Sequence, residues 1–303
     1  MKLTKIVAIS SLAALAITPV FAGAKSFKET VVVQEEAKPA WSASLSTGWD
    51  SSYMFRGVDV LRDQNDPNGS NASDNGIQWT SVSFTYNLTD NDSITLTPWM
   101  GYGLSATTAY KEFDLAVNYA HTIDALTLGL GYTFYDVWSA GGRGEDYFNN
   151  ELNASIAYNL DLGFMTLTPS VTYFVNVGPD NGADADENHS SSQSGGSFLA
   201  IRLDGGVKIT DRISLAPYTA FNFNFSQNTE DDENGNGGDL YNGANNLEYG
   251  LAVPFKINDT ITVSGYIAQS LAFNENDNGA NGANGVNTRQ FSTWGGAKVT
   301  FSF

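Results

Sequence analysis

The last residues of the chain alternate between two kinds of side chain. Apolar or small residues have one parity, namely Phe291, Gly295, Ala297, Val299, Phe301 and Phe303, and polar residues have the other, namely Ser292, Lys298, Thr300 and Ser302. A period of two puts successive side chains on opposite faces of an extended chain, so the run predicts a strand with one apolar and one polar face. Because the same alternation recurs along the sequence, we predict an all-β fold.

The alternation predicts twelve strands in all. They are Trp41 to Val58, Ile77 to Leu88, Ile94 to Leu104, Tyr110 to His121, Leu126 to Val137, Tyr147 to Leu160, Met165 to Val177, Phe198 to Ile209, Ile213 to Ser226, Leu247 to Ile257, Thr260 to Phe273 and Gln290 to Phe303. Lengths of about ten residues suit a tilted strand that crosses a bilayer. Pro98, Pro169 and Pro217 fall inside these strands and predict local bulges, because proline cannot donate to a β-ladder.

The connections between the strands alternate in length. Short turns lie at 89–93, 122–125, 161–164, 210–212 and 258–259, and longer loops at 61–75, 139–146, 178–197, 227–246 and 274–289, with 105–109 as a short exception. Short turns at one end and long loops at the other are typical of outer-membrane barrels. We therefore predict a transmembrane antiparallel up-and-down β-barrel of about 12 strands over residues 41–303, with both termini on the periplasmic side.

The start of the sequence predicts export. Lys2 and Lys5 precede a nearly apolar stretch from Ile6 to Val20, and small residues follow it. This pattern is typical of a secretory signal peptide, here residues 1–22 with cleavage alternatively after 24. Residues 23–40 carry no barrel pattern and are interpreted as a periplasmic leader. No later apolar run approaches the roughly 20 residues of a spanning helix, so a membrane location requires a closed barrel, in the bacterial outer membrane.

Composition excludes several kinds of partner and cofactor. The chain has no cysteine, which excludes disulfides and thiolate metal sites, and we expect no cofactor. Its formal net charge of −18 makes nucleic acid an unsuitable partner. The 13% aromatic content and the mean hydropathy of −0.21 together fit a barrel with a polar interior and an apolar outer belt in contact with membrane lipid.

Two short segments resemble known outer-membrane proteins. The stretch from Gly48 to Val58 reads GWDSSYMFRGV and resembles the opening of the TorF-type porin family, in which the first strand reads roughly Ser-Asp-Tyr-x-Phe-Arg-Gly-Ile-Ser. Tyr53, Phe55, Arg56 and Gly57 match that pattern, and Ser52 stands where Asp is usual. The resemblance implies an outer-membrane channel and supplies no catalytic residues and no solute.

The second segment is the last strand. Its terminal Phe303 resembles the C-terminal Phe that the barrel-assembly machinery reads in outer-membrane barrels, which implies that machinery as a partner. Oligomeric state stays open.

The parity opposite the apolar one predicts which side chains face the barrel interior. The pore-lining candidates are Asp50, Arg56, Glu112, Asp114, Glu151, Arg202, Asp204, Lys208, Glu248 and Lys298. They could form a transverse field that screens solutes, or a salt-bridged network that fills a narrow barrel, and both interpretations stay open. Aromatic residues at strand ends, with Tyr53 and Phe55 among them, predict two interfacial girdles.

The long loops are acidic and rich in Asn and Gly. Asp231, Asp232, Asn234 and Asp239 are weak candidate calcium ligands, but no Glu stands at the twelfth position, so solvated loops are the favoured interpretation. Only two histidines are present, His121 and His189, and neither stands in a catalytic pattern, so we expect no enzyme.

Two functions remain open after this reasoning. The first is a porin-like channel for passive diffusion of small hydrophilic solutes or ions. The alternative is a structural or surface-interaction barrel whose acidic loops bind partners or envelope lipid through divalent cations.

Overall fold

The computed structural model describes residues 40–61, 76–104, 109–140, 147–177, 196–229, 240–273 and 291–303. These residues form a closed antiparallel barrel of twelve long strands, with three short strand segments in addition. The long strands are β1 (Trp41–Asp50), β4 (Ile77–Asn87), β5 (Asp92–Gly103), β6 (Ala109–Ile123), β7 (Leu126–Ala140), β8 (Tyr147–Tyr158), β10 (Met165–Asn176), β11 (Ser197–Lys208), β12 (Ser214–Thr229), β13 (Leu240–Lys256), β14 (Ile261–Ala272) and β15 (Phe291–Ser302). The short segments are β2 (Met54–Phe55), β3 (Val58–Asp59) and β9 (Leu160–Asp161).

The barrel closes by pairing its first strand with its last. Each long strand pairs with the next along the chain, and β1 pairs with β15 from Ser44↔Ser302 to Asp50↔Gly296. β8 ends at Tyr158, and β9 continues its path after Asn159 by pairing with β10. In the described sheet, every long strand therefore pairs with a neighbour on both sides. This is how a membrane barrel satisfies the hydrogen bonds of its backbone N–H and C=O groups.

Along each strand, successive side chains lie alternately on the outer and the inner surface of the barrel. The outer surface is covered by large apolar side chains that are at least a third exposed, such as Phe84, Leu96, Leu130, Ile201 and Ile267. The opposite parity faces inward and is mostly polar, aromatic or small. The described residues contain no helix long and apolar enough to cross a membrane.

The prolines interrupt the ladder, as the sequence predicts. Pro98 lies between the pairs Ser81↔Trp99 and Phe84↔Leu96, where β4 and β5 lose contact. Similar interruptions flank Pro169 on the side of β8 and β9, Pro217 on the side of β11, and Pro254 on the side of β12. Because proline has no N–H, one neighbouring strand loses a partner there, while the other keeps its pairing.

The two ends of the barrel differ. One end, here the terminal mouth, carries the first residue of β1, the last residue of β15 and tight turns such as 257–260, in which Asn258 Oδ1 accepts the N–H groups of Thr260 and Ile261. The opposite end, the loop mouth, carries the longer connections. A side-chain oxygen that caps a turn in this way is the local reason that Asn, Asp and Thr occupy these positions.

The predicted first strand is wrong in its second half. β1 ends at Asp50 and not at Val58, and residues 51–61 leave the wall. Strand β13 also starts earlier than predicted, at Leu240 rather than Leu247. The predicted signal peptide, the leader up to residue 39, and the candidate ligands Asp231, Asp232, Asn234 and Asp239 lie outside the described residues.

Candidate functional site

Residues 51–61 fold into the barrel interior near the loop mouth, and we call them the plug. Its strands β2 and β3 form a two-residue hairpin whose turn is Arg56-Gly57. Both turn residues have positive φ, 52° for Arg56 and 89° for Gly57. Two central residues with positive φ are what a tight right-twisted hairpin requires, which explains the glycine. The arginine is the unusual member, and its side-chain contacts hold it there.

Apolar packing anchors the plug to the interior. Tyr53, Met54 and Leu61 are each at most 3% exposed and belong to one buried cluster with Trp79 and Trp99 of the wall. The Tyr53 ring stacks on the Trp99 ring with centroids 5.8 Å apart. Burial of each such side chain contributes about 1.5–3 kcal/mol, so the plug is docked by more than its polar bonds.

A first polar anchor joins the plug to β6. The hydroxyl of Tyr53 donates to Glu112 Oε2, and the hydroxyl of Tyr110 donates to the same atom over 2.7 Å. Glu112 is buried, so these two neutral donors replace the water that its carboxylate has lost.

A second polar anchor is a buried ion pair. Arg56 Nη2 donates to Glu151 Oε2 on β8, and both side chains are at most 2% exposed. The guanidinium also lies 4.7 Å from the ring centroids of Phe55 and Phe174 and 4.9 Å from that of Phe198. Removal of one partner of such a pair leaves an uncompensated buried charge and costs about 3–5 kcal/mol.

A third anchor lies across the lumen on β13. A β-bulge there pairs Asn246 with Asn222 and Ala244 with Phe223. Asn245 is the extra residue, and its side chain is buried in the barrel interior together with that of Asn246. Asn245 Nδ2 donates to the backbone oxygen of Arg56 over 2.7 Å. The plug therefore contacts β5, β6, β8, β10, β11 and β13, which lie on opposite sides of the barrel.

Asp50 fixes the point at which the chain leaves the wall. It is fully buried and accepts hydrogen bonds from Trp79 Nε1 at 2.8 Å and from the Tyr266 hydroxyl at 2.6 Å. The alternation of β1 stops immediately after it, and Ser51 bonds to Gly295 on β15 through both its N–H and its hydroxyl.

The remaining candidates lie on the interior wall. Arg202 donates to Asp204 from Nε over 2.7 Å and stacks on the Tyr218 ring at 4.3 Å, while Tyr218 donates to Glu248 over 2.7 Å. Lys298 is on the interior face of β15, opposite Gly48. Asp114 is fully buried beside Trp99 and Tyr135, and its side chain lies within hydrogen-bonding reach of Glu112.

Lys208 lies at the terminal mouth and is mostly exposed. Its ammonium is 2.7 Å from Asp211, which lowers the pKa of that exposed carboxyl through a hydrogen bond and charge attraction. The structure thus brings Arg56, Glu112 and Glu151 together at the plug, and pairs Arg202 with Asp204 apart from it.

Two predicted girdle residues are wrong. Tyr53 and Phe55 lie in the plug, inside the barrel, and not on its outer rim. His121 Nδ1 contacts Asp92 Oδ1 at 2.8 Å near a turn, and His189 lies outside the described residues. In the described part of the chain, no group of three or more His, Cys, Asp or Glu side chains is placed to hold a metal ion.

Comparisons with known proteins agree on the fold. No protein-family model matches the chain, and no curated protein matches it. The COG4313 outer membrane channel from Pseudomonas putida F1 is similar over 88% of this chain and 97% of its own, with a TM-score of 0.54 and 12% sequence identity. At that identity the likeness shows the outer-membrane β-barrel fold alone.

Two further solved structures are similar to a lesser degree. The translocator domain of the autotransporter NalP from Neisseria meningitidis covers 89% of this chain and 90% of its own at 13% identity and a TM-score of 0.47. The NanC porin covers 86% and 98% at 12% identity and a TM-score of 0.46.

Proposed function

We propose that the protein is a channel of the bacterial outer membrane for small hydrophilic solutes or ions, with its termini in the periplasm and with conduction limited by the plug. The observation that carries the proposal is the inward course of residues 51–61. Eight strands suffice to fill a barrel interior with side chains and sixteen leave an aqueous channel, so a barrel of twelve needs a further element to close it. The plug supplies that element.

The way in which the plug is held supports a movable element. Its anchors to the wall are hydrogen bonds, one ion pair and side-chain packing, and the chain contains no cysteine that could fix it covalently. The four residues that match the TorF-type porins are Tyr53, Phe55, Arg56 and Gly57, and all lie in the plug. Membership in that family is therefore part of this proposal, with the motif as a constriction rather than a strand.

A blocked structural barrel is the second candidate. The observation that favours it is the depth of burial of the plug, since Tyr53, Met54 and Arg56 are each at most 4% exposed. In that case the acidic loops would carry the function, through partners or lipid bound by divalent cations.

Planar-bilayer recording separates the two candidates. We expect low single-channel conductance from the folded wild-type protein and a several-fold increase in open probability for Glu151→Gln, because the neutral amide leaves Arg56 buried without its counter-charge. Glu248→Gln is the matched control, since Glu248 is equally buried but bonds to Tyr218 of the wall. If wild type, Glu151→Gln and a chain lacking residues 52–60 all pass no current, the channel is rejected in favour of the structural barrel.

A further inference from the structure

Three side chains of the interior wall surround the guanidinium of the plug residue Arg56, and we call them the cation cage. Glu151 lies on β8, Phe174 on β10 and Phe198 on β11, and each is 1% exposed. Arg56 Nη2 donates to Glu151 Oε2, and the guanidinium lies 4.7 Å and 4.9 Å from the centroids of the two phenyl rings. Aromatic faces within about 6 Å and a carboxylate partner are the features by which proteins bind guanidinium groups.

The cage is built by the wall and not by the plug. Phe174 and Phe198 are paired on neighbouring strands, their ring centroids lie 6.4 Å apart, and with Ala200 they form a buried cluster of their own. The Tyr135 hydroxyl on β7 donates to Glu151 Oε1 over 3.1 Å, which leaves Oε2 for the cation. Because wall contacts hold the carboxylate and both rings, we expect the cage to keep its shape when the plug leaves.

Arg56 occupies the cage with part of its hydrogen-bonding capacity unused. Its Nη2 bonds to Glu151, whereas Nε and Nη1 are buried and donate no hydrogen bond to the described residues. Its backbone φ of 52° lies in the left-handed region, which is costly for a residue with a Cβ. A free cation would take the same carboxylate and rings without that strain. The advantage of Arg56 is its tether, which raises its effective concentration at the cage.

The burial of the cage selects the class of cation. A cation that enters it must leave its water behind, and guanidinium is more weakly hydrated than ammonium. One carboxylate between two phenyl rings also offers too few oxygen ligands for calcium or magnesium, which take about six or more. In the part of the chain that the structure describes, no group of His, Cys, Asp and Glu is placed to hold a metal ion. The cage therefore suits a guanidinium group.

We infer that the cation cage is a binding site for small solutes that carry a guanidinium group, and that such a solute releases the plug by replacing Arg56. The inference rests on the proposed channel function and deepens it by naming the class of solute. The docked plug closes the cage to solvent, so the solute binds after the plug has left the wall and then keeps it from returning. A ligand that binds one of two states shifts the population toward that state. At about ten times its dissociation constant, the solute raises the ratio of undocked to docked plugs about 11-fold.

Ethylguanidinium chloride tests the site in two measurements on the folded protein. The first is the open probability in planar bilayers, and the second is the hydrogen exchange of residues 51–61, which reports release of the plug without requiring a current. We expect ethylguanidinium to raise the open probability of wild type several-fold and to speed exchange in the plug. Ethylurea, which has nearly the same shape and no charge, should do neither, and neither should sodium chloride at the same concentration.

Three variants locate the effect at the cage. Glu151→Gln removes the carboxylate, so the response to ethylguanidinium should disappear, whereas Glu248→Gln removes a carboxylate that bonds to Tyr218 of the wall and should keep the response. Arg56→Ala removes the part of the side chain that ethylguanidinium reproduces. The cation can then fill the space between the cage and the docked plug, so it should lower the open probability of this variant. The boiling-dependent shift on SDS gels verifies that each variant is folded.

The outcomes separate the site from the channel. If wild type conducts and ethylguanidinium changes neither its open probability nor the exchange of its plug, the inference is overturned and the channel stands. If ethylguanidinium speeds plug exchange in wild type but not in Glu151→Gln, and no form of the protein passes current, the site stands and the channel fails. An equal effect of ethylurea, or a rise in the open probability of Arg56→Ala as large as in wild type, would also overturn the inference.

Discussion

At the scale of single residues, Gly57 decides whether the plug can dock. Its φ of +89° lies in the region that side chains with a Cβ rarely adopt, and a Cβ there would lie 2.6 Å from Asn246 Cγ. The backbone conformation and the space next to Asn246 therefore both favour glycine at position 57. A non-glycine residue in such a conformation costs about 1–3 kcal/mol.

We expect Gly57→Ala to loosen the plug without disrupting the barrel. A cost of about 1.4 kcal/mol shifts an equilibrium tenfold, so the open probability in planar bilayers should rise roughly 5- to 150-fold. Gly163→Ala is the control, because Gly163 has a φ of +81° with no atom within 4 Å and lies in a turn away from the plug. Equal open probabilities for the two variants would contradict the role of Gly57.

Also at this scale, Tyr53→Phe tests the anchor on β6. The variant keeps the ring that stacks on Trp99 but removes the hydroxyl that donates to Glu112. Glu112 then keeps only the hydrogen bond from the Tyr110 hydroxyl. Loss of one hydrogen bond to a buried carboxylate should weaken plug docking by about 1.5–3 kcal/mol. We expect faster hydrogen exchange of residues 51–61 with unchanged exchange in β10 and β11. Uniformly faster exchange would mean that Tyr53 supports the whole barrel.

At the scale of elements, the alternation of side chains was sufficient to predict the wall. A strand with one face to lipid and one to the interior carries its pattern in its own sequence, so β4 to β12 and β14 to β15 lie close to where the sequence places them. The plug has no such local pattern. Its environment is the opposite wall of the barrel, and contacts such as Arg56 with Glu151 join residues far apart in sequence.

Signals for the plug are nevertheless present in the sequence. The alternation of β1 fails at two positions, because Ser51 stands at an apolar position and Met54 at a polar one. Arg56-Gly57 is then readable as a hairpin turn. The strand β13 was predicted too short for a related reason, since its first part is rich in Asn and Gly and has the composition of a loop.

At the same scale, a reversible covalent lock should hold the plug closed. Replacement of both Gly57 and Asn246 by Cys places sulfur close to the position of Asn246 Cγ, which is 2.6 Å from a Cβ at Gly57 and within reach of a disulfide. The chain has no other cysteine. We expect the oxidised double variant to show fewer openings than wild type, and the reduced one to show more, because Gly57→Cys strains the turn.

The single variants control this experiment. Gly57→Cys and Asn246→Cys alone should not respond to a reductant, since neither can form a disulfide within the chain. Oxidation that leaves the conductance of the double variant unchanged would mean that the plug does not move when the channel opens.

At the scale of the whole molecule, three cationic side chains of the plug and the wall each lie beside an acidic partner. Arg56 pairs with Glu151, Arg202 with Asp204 and Lys208 with Asp211. A large excess of negative charge lies in the long loops. Four of those loops hold fourteen acidic residues and two arginines, Arg62 and Arg289.

The charges in these loops are sensitive to salt. Exposed loop charges are screened over about 10 Å at 0.1 M and about 3 Å at 1 M, whereas buried charges are screened much less. We expect wild type to prefer potassium over chloride at 0.1 M and to lose most of that preference at 1 M. Reversal potentials under a salt gradient at both concentrations measure this, and anion preference at 0.1 M would mean that Arg56, Arg202 and Lys298 outweigh the loops despite their partners.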